Sequence, residues 1–498
     1  MSVRRALQGL GGALLGSLSR TYATEAVVAV GSNQGDRVSN VWAGLASLTA
    51  RQDTEILQYG CLYETKPAYL EDQGDFLNTA VLVRTELGPI PLLDALKRIE
   101  LECGRDVGGG IRYGPRPLDL DVVFYGGLDF RDERLEVPHP RWRERSFVVA
   151  PVCDLLPVGA ASGAGSCSGR LEEARDAWRD LGGEALVGGD EIRRVIPTGS
   201  GEVVSLSDRS HIMGILNATP DSFSDGGLFQ TTRESLTQAR RMAREGATIV
   251  DVGGQSTRPG ADRVGCQEEL DRVLPVVEAI KGAGDLSRVL VSVDTFYAQV
   301  AEEAVRAGAD LVNDVSSGSL DADMHRTVAR LGVPYVMMHM RGDPKTMQSA
   351  QNTSYADLVS DIASELDAKV DLALDEGMML WCVITDPRVG FAKTHDQNCE
   401  ILCRAGEIRR SFAKGFLRRA PMMVGPSRKG FLGRIVGKED PKERDVATAA
   451  AAALASAQGC NLFRVHNVGV ASDALRVADA VGAFQPGRVR LPHTTANN

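Results

Sequence analysis

Eight short, β-rich apolar runs recur from His211 onward, spaced roughly 20 to 45 residues apart with helical patterning between them. They are HIMGILNAT (211–219), TIVDVGGQST (248–257), VLVSVDT (289–295), LVNDVS (311–316), YVMMHM (335–340), WCVITDP (381–387), PMMVGPSRK (421–429) and NLFRVHNV (461–468). Strands that alternate with helices pair in parallel, and eight such units predict an α/β TIM (β/α)8 barrel. Most of the runs begin apolar and end polar. A barrel requires that gradient, with packed side chains inside and chemistry at the C-terminal mouth. A chain of 498 residues leaves room for a further domain before it.

The preceding segment has a different rhythm. It reads strand (Val27–Gly31), helix (Val38–Leu48), strand (Ile56–Tyr63), strand (Phe76–Thr85), helix (Pro91–Cys103) and strand (Leu118–Phe124). This βαββαβ order is the split, ferredoxin-like α+β pattern. A Gly/Ser-rich stretch, 158–169, reads as a flexible loop. The helical segment Glu172–Leu181 and the run Arg193–Pro197 still belong to the first unit on this reading. The expected domains are therefore 25–197, a linker at 198–210, a barrel at 211–490 and a tail at 491–498. The alanine-rich run Ala447–Ala455 fits a helix packed closely on a sheet, and no run is long enough to span a bilayer.

A formal net charge of -10 and a pI near 5.4 argue against a nucleic-acid-binding surface and favour small-molecule substrates. The nine cysteines are scattered; Cys399 and Cys403 have helix-turn spacing without neighbours to complete a zinc set. Residues 1–24 carry Arg4, Arg5 and Arg20 and no acid before Glu25, the composition of an organellar transit peptide. A mitochondrial address is expected, with the cytoplasm as the alternative.

In the first unit, RYGPRPLDLDVVFYG places Asp119 and Asp121 two apart on a strand, so both carboxylates share a face. Two such acids suit Mg²⁺ bound together with substrate phosphates, and Arg105, Arg112 and Arg116 can neutralise a triphosphate. Taken alone, the motif is more often a solvated edge strand than a metal site. Five ordered segments decide between these. They are VAVGSNQGD (28–36), YETKPAYLEDQGDFLN (63–78), LKRIELECGR (96–105), RYGPRPLDLD (112–121) and VPHPRWRERSFVVAPV (137–152). In them the unit resembles 6-hydroxymethyl-7,8-dihydropterin pyrophosphokinase. The resemblance implies two Mg²⁺ ions on Asp119 and Asp121 bridging ATP, with Glu100, Arg105, Arg112, Arg116, His139 and Arg145 on the nucleotide side. It also implies a pterin held by Asn78 between Phe76 and Phe147, and no protein nucleophile. GSNQGD is neither a Walker A sequence nor a dinucleotide-binding loop.

The barrel runs carry a polar ring: Asn217, Asp251, Thr257, Arg258, Asp294, Asn313, His339, Asp386, Lys429, Arg464 and His466. Asp294, Asn313 and Asp386 suit an amino-pyrimidinone edge, whereas Lys429, Arg464 and His466 gather positive charge where barrels commonly bind phosphate. The segments GILNATPDSFSDGG (214–227), DVGGQSTRPGA (251–261), SVDT (292–295), NDVS (313–316), DPRVGFAKT (386–394), GPSRKGF (425–431) and RVHNV (464–468) resemble dihydropteroate synthase. That resemblance implies a pterin on Asp294, Asn313, Asp386 and Lys429, and a diphosphate with one Mg²⁺ on Asn217, Arg464 and His466. It places Thr257, Arg258, Pro259, Phe391 and Ser427 on the p-aminobenzoate side, with the loops 221–227 and 256–261 closing over the substrates. Catalysis would fall to Asp119, Asp121, Arg105 and Arg116 in the first unit and to Lys429 and Asp386 in the second.

Two positions depart from the synthase pattern: Arg388 stands at a usual glycine, and Gln255 at a common glutamate. The expected substrates are ATP, 6-hydroxymethyl-7,8-dihydropterin and p-aminobenzoate, and family habit implies a homo-oligomer through barrel helices. The residues alone leave three alternatives. One is a single catalytic domain beside a pterin-binding scaffold, another a non-catalytic pterin-binding protein. The third is a phosphate-using barrel of another pathway fused to a nucleotide kinase.

Overall fold

The described residues open on a strand whose residues from Ala26 to Val28 are fully buried, and the first sheet assembles around it. The computed structural model describes residues 23–105, 113–155, 165–189, 191–199, 201–218, 227–255, 263–342 and 346–483, with backbone only at 227–231. Most of the expected transit segment lies outside the described residues.

The amino-terminal half runs β1 (Thr24–Ser32), α1 (Arg37–Thr49), β2 (Thr54–Tyr59), β3 (Leu62–Thr65), β4 (Phe76–Thr85), α2 (Pro89–Glu102), β5 (Asp119–Tyr125), β6 (Phe130–Arg131), β7 (Glu136–Val137), α3 (Ser146–Cys153), α4 (Ser168–Leu181), β8 (Ile192–Pro197) and β9 (Val203–Val204). Its main sheet has the order β5-β1-β4-β3-β8-β9, with β2 also on β4, and its named pairings are antiparallel. Helix α1 is capped by Asp36, whose carboxylate accepts from Ser39 N at 3.0 Å, and buries Val38, Val41, Leu45 and Leu48 on one stripe.

The strand expected over Ile56–Tyr63 is two strands, β2 and β3, laid end to end along β4. The break falls at Gly60, where a Cβ would lie 2.5 Å from Pro151 O. The Gly60 carbonyl accepts from Thr79 Oγ1 at 3.1 Å and from Trp381 Nε1 at 3.0 Å. The end of the Gly/Ser-rich stretch is also structured, since Gly165 O accepts from Glu25 N at 2.8 Å and Cys167 N donates to Glu25 Oε2 at 2.7 Å.

The second half runs β10 (His211–Asn217), α5 (Gly227–Glu245), β11 (Ile249–Gly253), α6 (Cys266–Lys281), β12 (Leu290–Asp294), α7 (Ala298–Arg306), β13 (Leu311–Asp314), α8 (Met324–Leu331), β14 (Tyr335–Met338), α9 (Leu358–Asp375), β15 (Val383–Asp386), α10 (His395–Ser411), β16 (Met423–Val424), α11 (Gly430–Val436), α12 (Asp445–Ala457), β17 (Leu462–Val465) and α13 (Val468–Gly482). All eight expected strands are present in one parallel sheet, and a parallel bridge between Thr385 and Met422 brings its two ends together. The alanine-rich helix α12 packs on α13 and α10, and its buried alanines join the core that holds Val424, Phe463 and Val465 of the sheet. No helix among the described residues is long and apolar enough to cross a membrane.

The segment read as a linker is built into both halves. Strand β8 extends the first sheet, and β9 folds back on it. Ile196 and Leu206 then join Met213, Ile249, Leu311, Val336, Ile384, Met423 and Leu462, which lie at or near the starts of the barrel strands, in one apolar cluster. Burying a side chain the size of leucine stabilises by about 1.5–3 kcal/mol, so this plug closes the barrel floor with real driving force. Around it, Trp42 meets Trp381 edge to face at 6.0 Å, and Arg419 reaches Glu184 at 3.2 Å. Residues 380–382 and 416–420 precede β15 and β16, so the first half sits against the N-terminal ends of the strands. The polar strand ends face the opposite way.

Candidate active sites

In the first half, register brings three strands to one point: Gly31 on β1 pairs with Asn78 on β4 and with Asp119 on β5. A Cβ on Gly31 would stand 3.0 Å from Asn78 Oδ1, so glycine keeps this point open. A cavity of about 340 Å³ lies above it. Phe76, Asn78 and Phe147 line one part, while Asp119, Asp121, Arg105, Arg116, His139 and Arg145 line the remainder. The buried Asn78 donates to Thr65 Oγ1 at 2.8 Å. The guanidinium groups of Arg116 and Arg145 lie 5.9 Å and 5.7 Å from the Phe76 and Phe147 rings.

Asp119 is held by two arginines, accepting from Arg105 at 2.6 Å and from Arg116 at 2.9 Å. Burial alone would raise its carboxyl, but Arg116, Lys97 and Arg105 outweigh that and hold it below the usual range. Burial lowers His139, opposed by Asp121 and assisted by Arg145. Glu100, expected on the nucleotide side, lies under the cavity rather than in its wall. It is 2% exposed and accepts from Lys97 at 2.7 Å, Leu120 N at 2.7 Å and Arg105 at 2.5 Å, so it orients Arg105. Lys97 does line the cavity and sits 3.6 Å from Asp121; its place one helical turn before Glu100 was the available sequence signal. Tyr69, Gln73 and Tyr113 also line it and were not anticipated. Two carboxylates among five cations suit a polyphosphate with hard divalent ions. Arg112 lies outside the described residues.

In the second half, the strand ends interlock. Arg464 on β17 donates to Asp251 at 2.6 Å and to Asp294 at 2.5 Å, and Asn313 donates to Asp251 at 2.9 Å. The sequence separated Arg464 from these acids; the structure joins them. Burial would lower Arg464, but Asp251 and Asp294 raise it above its ordinary value. Among the described residues, the buried oxygens Asp251 Oδ1, Asn313 Oδ1 and Asp386 Oδ2 have no hydrogen-bond partner. His466 and Ser427, assigned to different substrates, share a hydrogen bond of 2.8 Å. Asn217 ends β10 beside Gly253. His339 turns away from the mouth, bonded to Glu365 and Lys393, each at 2.9 Å. Burial brings His339 down to about 3 and Lys393 down to about 7.

The loop after β15 carries left-handed backbone at Arg388 (φ +56°), Gly390 (φ +84°) and Ala392 (φ +52°). Such conformations cost non-glycine residues about 1–2 kcal/mol each, so the loop needs external bonds. Asp386 Oδ1 accepts from Arg388 N at 2.7 Å, Asn398 from Gly390 N at 2.5 Å, and Ala392 O from Tyr355 at 2.9 Å. A left-handed turn thus forms here with arginine in it. The buried Arg388 guanidinium lies 4.1 Å from the Phe391 ring and 3.7 Å from Asp386 Oδ2. Lys429, at the N-cap of α11, donates to Val389 O and is held well below its ordinary value by burial and by Arg388. Thr257, Arg258 and Pro259, with both glycine-bearing loops except Gly227, lie outside the described residues.

Gln255 donates to Glu269, and burial, opposed by hydrogen bonds from Thr295 and Gln255, pushes Glu269 up to about 7. The folded protein therefore holds a proton there that the unfolded chain releases near 4.5. Stability from this group is present below pH 4.5 and declines as pH rises through about 7. Denaturant unfolding across this range is expected to show the decline, and Glu269→Gln to flatten it; an unchanged slope in the variant would assign the pH dependence elsewhere.

The first-half cavity suits a polyphosphate with divalent ions, and the polar strand ends of the barrel suit a flat hydrogen-bonding ring beside an anion, which together make a bifunctional transferase. Family profiles described as "7,8-dihydro-6-hydroxymethylpterin-pyrophosphokinase (HPPK)" and "Pterin binding enzyme" match residues 27–157 and 213–466. The chain is 48% identical over 463 residues to the Arabidopsis thaliana "Folate synthesis bifunctional protein, mitochondrial", covering 92% of this chain and 83% of the relative. The Pisum sativum protein of the same name is 47% identical, covering 93% and 90%. Among solved structures, the Yersinia pestis dihydropteroate synthase in a sulfonamide drug complex is 37% identical with a TM-score of 0.52. The Xanthomonas albilineans dihydropteroate synthase with 4-aminobenzoic acid is 36% identical with a TM-score of 0.51; each of the two covers 58% of this chain and 100% of its own. The chain belongs to the family of bifunctional folate synthesis proteins, which join pterin pyrophosphokinase and dihydropteroate synthase activities in folate biosynthesis. Enzymes of these two kinds use ATP and Mg²⁺.

Proposed function

We propose that this chain carries out both steps itself, converting 6-hydroxymethyl-7,8-dihydropterin, ATP and p-aminobenzoate into 7,8-dihydropteroate. The observation that carries the reading is the set of buried oxygens on Asp251, Asn313 and Asp386 that have no hydrogen-bond partner among the described residues. An unmet buried acceptor costs about 1–3 kcal/mol, and the N–H donors on a pterin edge satisfy such acceptors.

In the first half, the pterin ring lies between Phe76 and Phe147 with Asn78 on its polar edge. Arg105 and Arg116 turn from Asp119 to the phosphates, joined by Arg112, Arg145 and His139, while Glu100 acts through Arg105. Asp119 and Asp121 are then free to hold two Mg²⁺ ions; their paired carboxylates are hard oxygen donors on one strand face. Bound there, the metal neutralises phosphate charge. The pterin hydroxymethyl oxygen attacks the β-phosphorus and AMP leaves, with positioning and charge neutralisation as the protein's contribution.

In the barrel, Asp294, Asn313, Asp386 and Lys429 hold the pterin. Arg464, His466 and Asn217 hold the diphosphate with one Mg²⁺, for which the Asn217 amide oxygen is a suitable donor. The incoming anion draws Arg464 off Asp251 and Asp294, which releases those carboxylates to the pterin. Diphosphate departs, and the p-aminobenzoate nitrogen, guided by Thr257, Arg258, Pro259, Phe391 and Ser427, attacks the methylene carbon. Stabilising the departing anion is the main task. In the assay that tests this, AMP forms from pterin and ATP alone, and dihydropteroate appears only when p-aminobenzoate is added. AMP without dihydropteroate under full conditions would leave the barrel as a binding scaffold.

The domain limits 25–197, 198–210 and 211–490 stand as part of this proposal, as does mitochondrial import directed by residues 1–24, which the names of the Arabidopsis and Pisum relatives support. A homodimer through the α11–α13 face is proposed from its exposed apolar residues. Ile435, Val446, Leu454, Val477 and Val481 are each 58–70% exposed. Sedimentation is expected to give a dimer at micromolar concentration and a monomer for Leu454→Glu/Val477→Glu; a monomeric wild type would remove the dimer.

A further inference from the structure

Among the cavity arginines, Arg105 and Arg116 are held by carboxylates, whereas Arg145 forms no ion pair with a carboxylate among the described residues. Its anchors are a phenol and the His139 ring, whose Nε2 lies 3.4 Å from Arg145 Nη1; the phenol makes the shorter contact. Arg145 Nε donates to the Tyr69 hydroxyl at 3.0 Å, and its guanidinium lies 5.5 Å from the Tyr69 ring. The Tyr69 ring is itself fixed from two sides, with Tyr113 at 4.6 Å and the Arg141 guanidinium at 4.7 Å. Tyr113 is tied in turn, its carbonyl accepting from Gln73 Nε2 at 2.9 Å. Tyr69, Tyr113 and Arg145 come from three separate segments and all line the cavity. A neutral hydroxyl orients a guanidinium without cancelling its charge, leaving the whole charge for an incoming anion.

We propose that Tyr69 is a positioning residue of the pyrophosphokinase site, holding Arg145 in place for the phosphates of ATP; this rests on the reading that Arg145 meets ATP. Tyr69 does not touch the reacting atoms and acts only through Arg145.

The test follows AMP formation by the full chain at varied ATP and varied pterin, for wild type, Tyr69→Phe, Arg145→Ala and the double variant. Dihydropteroate formation from supplied pterin diphosphate serves as the folding control and is expected to stay at the wild-type rate. Loss of one hydrogen bond predicts a rise in KM for ATP of about threefold to tenfold in Tyr69→Phe. The KM for pterin is expected to stay within about twofold, and the double variant to lose no more than Arg145→Ala alone. If Arg145→Ala raises the KM for ATP and Tyr69→Phe does not, the role of Tyr69 is overturned while that of Arg145 stands. If neither variant raises it, the assignment of Arg145 to ATP falls, and this inference with it. A rise in the pterin KM alone would make Tyr69 a pterin contact and overturn the proposal.

Discussion

Asp119→Ala is expected to lower AMP formation by at least about a thousandfold while leaving dihydropteroate synthesis from supplied pterin diphosphate at its wild-type rate. The size follows from what Asp119 holds together. Its two oxygens bind Arg105 and Arg116, and with Asp121 it offers the paired carboxylates that suit Mg²⁺. Removing it takes away a metal ligand and the fixed partner of two phosphate-facing arginines. Asp119→Asn keeps the shape and loses the charge, so a similar defect there assigns the effect to electrostatics rather than packing. Retention of more than about a tenth of the AMP rate in Asp119→Ala would remove this residue from the metal site.

The second large effect is expected from Arg464→Lys, with a loss of dihydropteroate formation of about a hundredfold or more and an unchanged AMP rate. Lysine preserves the charge. It cannot reproduce the guanidinium fork that spans Asp251 and Asp294, with donors at 2.6 Å and 2.5 Å. A weakened hold on two buried carboxylates also lowers stability, so the barrel is expected to unfold at lower denaturant than wild type. If Arg464 acts on the diphosphate as proposed, the KM for the pterin diphosphate rises while that for p-aminobenzoate changes little. Near-normal turnover in Arg464→Lys would mean that a point charge suffices and that the fork serves the acids alone.

The barrel was legible because most runs from HIMGILNAT to NLFRVHNV carry their own apolar-to-polar gradient, a local property of the chain. The paired aspartates of β5 were legible for a similar reason, since residues two apart on a strand share a face wherever that strand goes. What the sequence did not disclose depends on partners brought from far along the chain. Ile196 and Leu206 flank a polar Gly/Ser segment among other apolar residues, and nothing local to the chain marks them as the pair that meets the barrel floor. Glu100 carries the same motif whether it faces the nucleotide or supports Arg105, and burial decides for the latter. Arg388 reads as a disruption of a glycine turn, yet hydrogen bonds from distant segments hold a left-handed turn there and bury the guanidinium on Phe391.

The seat of the first half on the barrel floor has a consequence for the traffic of intermediate. The kinase half rests where the strands begin, whereas Asp294, Asp386 and Arg464 lie where they end. A freshly made pterin diphosphate must therefore pass along the outside of the barrel, on the order of 15 Å or more for a five-residue strand and its loops. If it meets bulk solvent on that path, unlabelled diphosphate added from outside is expected to dilute a labelled intermediate as it would between two separate enzymes; undiluted label would show a private passage. Joining the halves in one chain in either case fixes their ratio at one to one and their compartment as the same.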